Sequence, residues 1–190
     1  NGGICKKCGY EYQLKVDTLN SSFKVTNSGG AKVWSKPYSS GKSVHIRTLA
    51  KDSVVTVVGK VKNAHGNLWY KILDGNWIFS DNIKRCYTIT YHANGGVNAP
   101  SNQTAIDGVS FKITSSKPAR VGYTFQGWSK SSGSSSVSYN PGGSYKFTSN
   151  TTLYAVWKNC SHDYDKNGGF CNKCNYEYSL KIESLNGTFK

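Results

Sequence analysis

Methionine is absent from these 190 residues, proline occurs only four times, and ten acidic side chains stand against 24 Lys and Arg. No run of 18 apolar residues occurs, which excludes a membrane-spanning helix. No stretch carries the apolar period of a long helix. Val, Ile, Thr and aromatics fill the patterned segments instead, as they do in strands. Also missing are G-x-S-x-G, H-E-x-x-H and any phosphate-binding loop after a strand. The ten acids are spread along the chain and offer no paired carboxylates. Cys86 and His92 lie six residues apart, and that spacing is no sign of a thiol nucleophile and its base. No catalytic residue is assigned, and the chain reads as a non-enzyme. No leader peptide is visible, which decides nothing about compartment.

What is present is repetition. Residues 1–24 and residues 167–190 agree at 15 of 24 positions at a shift of 166. Most of the differences are conservative, such as Val16 against Ile182 and Asp17 against Glu183. Self-similarity at a fixed period is the mark of an array. The expectation is one full repeat unit and the opening of the next, with neighbouring repeats of the same chain as partners. Twenty Gly and thirteen Tyr suit a turn-rich, short-stranded extracellular β-protein. Units of roughly 60–75 residues sit near the lower limit for an independent core, where a metal or a cross-link commonly assists.

The net charge of +14 is uneven: residues 1–84 hold 13 basic and 5 acidic side chains, and residues 85–158 hold 7 and 1. The cations are scattered singly, with no Lys/Arg run and no recognition-helix pattern, so the sequence does not point to nucleic acid. Cell-wall polymers, host glycans or an acidic host protein suit such a surface, and so does plain solvation.

Short alternating segments fill residues 13–84: LKVDTL, SFKVT, AKVWSKP, SVHIRTL, SVVTVVGKV, LWYKIL and NWIFS. Gly29-Gly30, Ser39-Ser40-Gly41, His65-Gly66-Asn67 and Asp74-Gly75-Asn76 punctuate them as turns. The run from Val33 to Pro37, Leu49-Ala50-Lys51-Asp52, the stretch from Gly66 to Ile72, and Asp74-Gly75-Asn76-Trp77-Ile78 together resemble a bacterial SH3-type (SH3b) domain. Trp34 departs from that family, which usually has a polar or basic residue there. The resemblance implies a small antiparallel barrel that binds cell-wall material and performs no chemistry. Exposed aromatics give such grooves contact area at low entropic cost, and Trp34, Tyr38 and Tyr70 are the candidates. Trp69 and Trp77 are read as core.

Residues 85–158 carry Tyr87-Thr88-Ile89-Thr90-Tyr91 before Ala93-Asn94-Gly95-Gly96, then Pro118, Arg120, Gly122-Tyr123-Thr124-Phe125 and Gly127-Trp128. The block closes with Thr151-Thr152-Leu153-Tyr154-Ala155 and Trp157. This pattern resembles the Listeria–Bacteroides repeat, the B-repeat type of internalin-like surface proteins. Ser129 stands where that family has Phe or Tyr. The resemblance implies a compact β-grasp-like mixed sheet used in extracellular arrays as spacer, stalk or adhesion unit. Trp128, Tyr154 and Trp157 are read as core, and Arg120 as a loop cap.

Residues 159–178 hold Cys160, His162, Cys171 and Cys174 in a C-x-H-x8-C-x2-C spacing. A C-x2-C turn offers two thiolates to one tetrahedral ion, and Cys and His are ligands that zinc accepts. So short a polar segment has no core, and a structural zinc ion would supply its folding energy. It resembles a zinc knuckle. A disulfide is the rival, favoured by an extracellular setting. Four protein ligands leave no open position for catalysis. Cys5 and Cys8 match Cys171 and Cys174 in the repeat, so residues 1–12 read as a half-site, and residues 179–190 as the first strand of the next repeat. Cys86 is either a buried free thiol or a partner of Cys160.

The expected fold class is therefore mainly β: a small SH3-like barrel and a β-grasp-like B-repeat domain, joined by a short metal-clip segment. The expected role is that of a non-catalytic adhesion, binding or spacer module at a bacterial cell surface or in a secreted protein. The alternative is a peptidoglycan-targeting region of a larger hydrolase.

Overall fold

The computed structural model describes residues 14–38, 42–63, 65–162, 169–174 and 176–177. Among these residues the regular structure is a large mixed sheet, a small two-stranded sheet and one 3-10 turn, with no α-helix. The mainly-β expectation holds at that level. The chain forms two compact units, the first comprising Asn1–Thr88, Thr104–Phe111 and Lys146–Asn150. The second comprises Ile89–Gln103, Lys112–Tyr145 and Thr151–Lys190. Residues 1–12 and 179–190 lie outside the described residues.

In the first unit, β1 (Asp17–Val25), β2 (Ala31–Trp34), β3 (His45–Leu49), β4 (Val54–Lys62), β5 (Leu68–Ile72) and β6 (Trp77–Phe79) pair in the order β1-β4-β5-β6-β2-β3. All of these pairs are antiparallel. The hairpins after β4 and β5 turn at Gly66 (φ 76°) and Gly75 (φ 88°), backbone that a side chain would strain. A 3-10 turn at Ser80–Asn82 leads into β7 (Ile83–His92), whose start pairs with β1 at Phe23↔Arg85 and Val25↔Ile83. No pairing among the described residues brings β3 back to β1 or β7, so the sheet is open there and barrel closure is not shown.

The pleat sorts the apolar residues onto two faces, because alternate side chains point opposite ways. Val33, Ile72 and Ile78 join Phe23, Val25, Ala31, Val57 and Ile83 in one fully buried cluster, with Tyr70 packed against it. Trp69, Trp77 and Val61 form a second cluster, against which Trp34, Phe79 and Leu14 pack. The registers Trp34↔Trp77 and Trp69↔Phe79 place all four rings on this second face.

The second unit is built on the later half of β7, with β10 (Tyr123–Ser129) and β12 (Thr151–Asn159). β12 runs parallel to β7, from Thr151↔Ile89 to Tyr154↔His92, and antiparallel to β10. β8 (Gln103–Ile106) pairs with β7, and β9 (Ser110–Lys112) with β11 (Ser144–Lys146). Trp128 is fully buried, with ring centroids 4.9 Å from both Tyr91 and Phe125. Trp157 is half-buried and donates its Nε1–H to Ala93 O at 2.9 Å. Ser129, where the family resemblance expects an aromatic, is buried at 4% exposure.

Gly127 closes the β-bulge between Phe125 and Gly127, pairs with Val156 and has φ 149°, where a Cβ would come within 2.5 Å of Val137 Cγ1. Backbone strain and overpacking would therefore act together. Gly127→Ala should lower stability by about 2–4 kcal/mol, read by urea denaturation followed through tryptophan fluorescence.

Candidate metal centre

The chain leaves β12 at Asn159 and reaches Cys160 at once, so the first candidate ligand is anchored by the sheet itself. The Cys160 N–H donates to Gly122 O at 3.0 Å. Gly122 (φ 81°) lies in the turn that feeds β10. The C-x2-C turn is held from both sides. Phe170 bridges Glu177, and the Cys171 N–H donates to Tyr176 O at 2.8 Å. The His162 ring stacks on Tyr176, with centroids 4.9 Å apart and planes at 25°.

These supports bring one atom from each of Cys160, His162, Cys171 and Cys174 within 4.8 Å of all the others. Cys160 Sγ lies 3.6 Å from Cys171 Sγ, and Cys174 Sγ lies 3.4 Å from His162 Nδ1. Ligands at Zn–S of about 2.3 Å and tetrahedral angles stand about 3.8 Å apart, and a sulfur–nitrogen pair slightly less. A disulfide would need about 2.05 Å. The four residues lie close together and could hold a metal such as zinc.

The electrostatics agree. Burial, followed by the hydrogen bonds and repulsion of Cys174 and Cys171, pushes the Cys160 thiol up to about 12. Thiols packed this closely resist becoming thiolates unless a cation offsets their charge. Cys160 and Cys171 are buried, Cys174 is half-buried and His162 is exposed. With four protein donors the set is complete, which suits a structural ion.

Cys86 is a buried free thiol on β7. Burial pushes it up, partly opposed by the charge of Lys24. Cys160 likewise carries no disulfide and belongs to the four-residue cluster. The matching half-site, Cys5 and Cys8, lies outside the described residues.

The aromatic candidates separate. Tyr38 is buried at 5% exposure, and Tyr70 is half-buried against the Phe23 ring, 4.6 Å between centroids. Trp34 is half-buried, packs edge-on against His45, and lines a cleft with Trp69 and Phe79. Trp69 and Trp77 are buried, as read from sequence. Arg120 lies 3.8 Å over the Tyr123 ring. Sequence reasoning missed Gly122 and Tyr176, which seat the clip, and Asn27 and Asn82, which line the cleft. Tyr176 stands two residues after the last ligand, a spacing that in hindsight is the only local signal.

Comparison with protein families finds a match to the Listeria-Bacteroides repeat domain over residues 87–156. No curated protein and no solved structure matches the chain. The SH3b resemblance of residues 13–84 finds no support in these comparisons. The matched stretch contains Tyr87–Tyr91, the Gly95-Gly96 turn, Gly127 with Trp128, and most of β12. Residues 87–156 match the Listeria-Bacteroides repeat domain, a type typical of bacterial surface proteins.

Proposed function

We propose that this chain is a non-catalytic adhesion or spacer unit of a bacterial surface or secreted protein, and that a structural zinc ion clips one module to the next. The observation that carries the reading is the convergence of three thiols and an imidazole beside the sheet of a surface-type repeat domain. An extracellular array gains from such a clip because its units are small, and a metal adds folding energy where no core is available. The unit at 13–84 supplies a binding or spacer surface, with cell-wall polymer, host glycan or host protein as the partner classes.

Retention on purified sacculi separates roles within this reading. A stalk or host-directed adhesin should stay in the supernatant. Salt-resistant retention would instead favour the targeting region of a larger cell-wall hydrolase.

Zinc binding should also be proton-linked. Because the metal-free Cys160 thiol is held protonated far above neutral pH, zinc must displace at least that proton at pH 7. Affinity should therefore rise with pH and fall on acidification. Calorimetric titration of the apoprotein with zinc in two buffers of different ionisation enthalpy measures the release. An uptake of protons, or none, would contradict the assignment.

A further inference from the structure

We propose that the cleft on the second face of the first unit is a binding site for a neutral saccharide. This deepens the reading of the chain as a binding module and rests on it. The cleft encloses about 480 Å³, within the range of small-molecule sites. The Trp34, Trp69 and Phe79 rings line it, delivered by the neighbouring strands β2, β5 and β6. A sugar ring has an apolar C–H face and a rim of hydroxyls, and an aromatic wall covers the first while amides satisfy the second.

The amides are present. Asn27, Asn67 and Asn82 line the same cleft. The Asn27 Nδ2–H donates to Asn82 Oδ1 at 3.0 Å, and Asn27 Oδ1 accepts from the Gly29 N–H at 2.9 Å. This chain of bonds fixes both amides and leaves the Asn82 nitrogen as a donor on the wall. Asn67 projects from the exposed hairpin between β4 and β5.

A second observation is independent of the lining. Trp69 is 4% exposed, and its indole N–H has no hydrogen-bond partner among the described residues. A buried donor left unpaired costs free energy, so such groups are rare without a reason, and a hydroxyl in the cleft would reach this shielded nitrogen only with a shift of the ring. The lining contains one cation, Lys32, and no carboxylate. It therefore lacks both the acid pair of a glycosidase and the clustered cations that select polyanions. Binding without hydrolysis of an uncharged glycan is what remains.

Two sources share this chemistry, the glycan strands of the wall and neutral glycans of a host surface. Chitotetraose stands for the first and a tetrasaccharide of repeated N-acetyllactosamine for the second. Titration of the full chain with each, followed by tryptophan fluorescence and calorimetry, should show saturable binding of at least one. Trp34→Ala should weaken it by about tenfold or more, with Trp34→Phe retaining most of the affinity. Because Trp34 packs on the second cluster, Asn67→Ala is the independent variant. It removes an exposed side chain and should weaken binding by about fivefold at an unchanged melting temperature. Failure of both saccharides to bind would overturn the proposal, as would binding indifferent to Trp34→Ala and Asn67→Ala. Saturable binding of a wall stem tetrapeptide in place of either sugar would overturn it too. If sacculi or host cells still retain the Trp34→Ala protein, the saccharide cleft fails while the binding-module reading stands.

Discussion

Protein purified under mild conditions should carry about one zinc per chain, and Cys171→Ser should bring that figure close to zero. Cys171 is the most deeply placed ligand, at 2% exposure, and its backbone also closes the clip through Tyr176. Serine keeps the size but lacks a thiolate at neutral pH, so the ion loses a soft ligand and the segment loses its folding energy, about 10–16 kcal/mol in structural sites of this kind. Hydrogen exchange should report the loss locally. Slow exchange of the Cys160 and Cys171 amides, both donors to backbone carbonyls, should vanish on chelation. The amides of β1 and β4 should keep their protection, because their ladder is built without the clip. Metal-free protein with its thiols oxidised would replace zinc with disulfide as the cross-link. Metal analysis together with a thiol titration separates the two.

Trp128→Ala should be the most damaging single change in the repeat domain, at about 3–5 kcal/mol. The side chain is wholly buried and meets both Tyr91 and Phe125. Its backbone also bonds Tyr139, so the strand will not easily close over the cavity. For a small unit such a loss approaches the whole of its stability. Trp128→Phe should cost much less. The indole N–H has no hydrogen-bond partner among the described residues, so phenylalanine removes an unsatisfied donor while giving up only part of the volume. Thermal unfolding monitored by near-ultraviolet circular dichroism would rank the two. Equal losses would show that the donor is satisfied in solution, by water for example.

The residues that could be read locally are those whose chemistry depends on near neighbours. Strand character follows from alternation within five to nine residues, as in β4 and β5. The repeat domain was legible because its Gly and aromatic positions answer to backbone geometry and to a single core. Gly127 at its bulge and Trp128 beside it show this. The candidate metal ligands were legible for the same reason. Four donors lie within 15 residues, and the turn between Cys171 and Cys174 needs no distant partner to bring two thiols together.

What only the tertiary structure decided depends on pairing between distant segments. Tyr38 and Trp34 looked equivalent beside Pro37, yet one is buried outside the strands and the other ends β2 and lines a cleft. Asn27 and Asn82 are 55 residues apart, and only the return of the chain into β7 beside β1 makes them one hydrogen-bonded wall. Gly122 meets Cys160 through the antiparallel pairing of β10 and β12. Residue types and spacing alone therefore determined the β-rich segments, the repeat-domain pattern and four donors that could hold a metal. The cleft, the buried tyrosine and the seat of the clip were decided by long-range register, which no local pattern encodes.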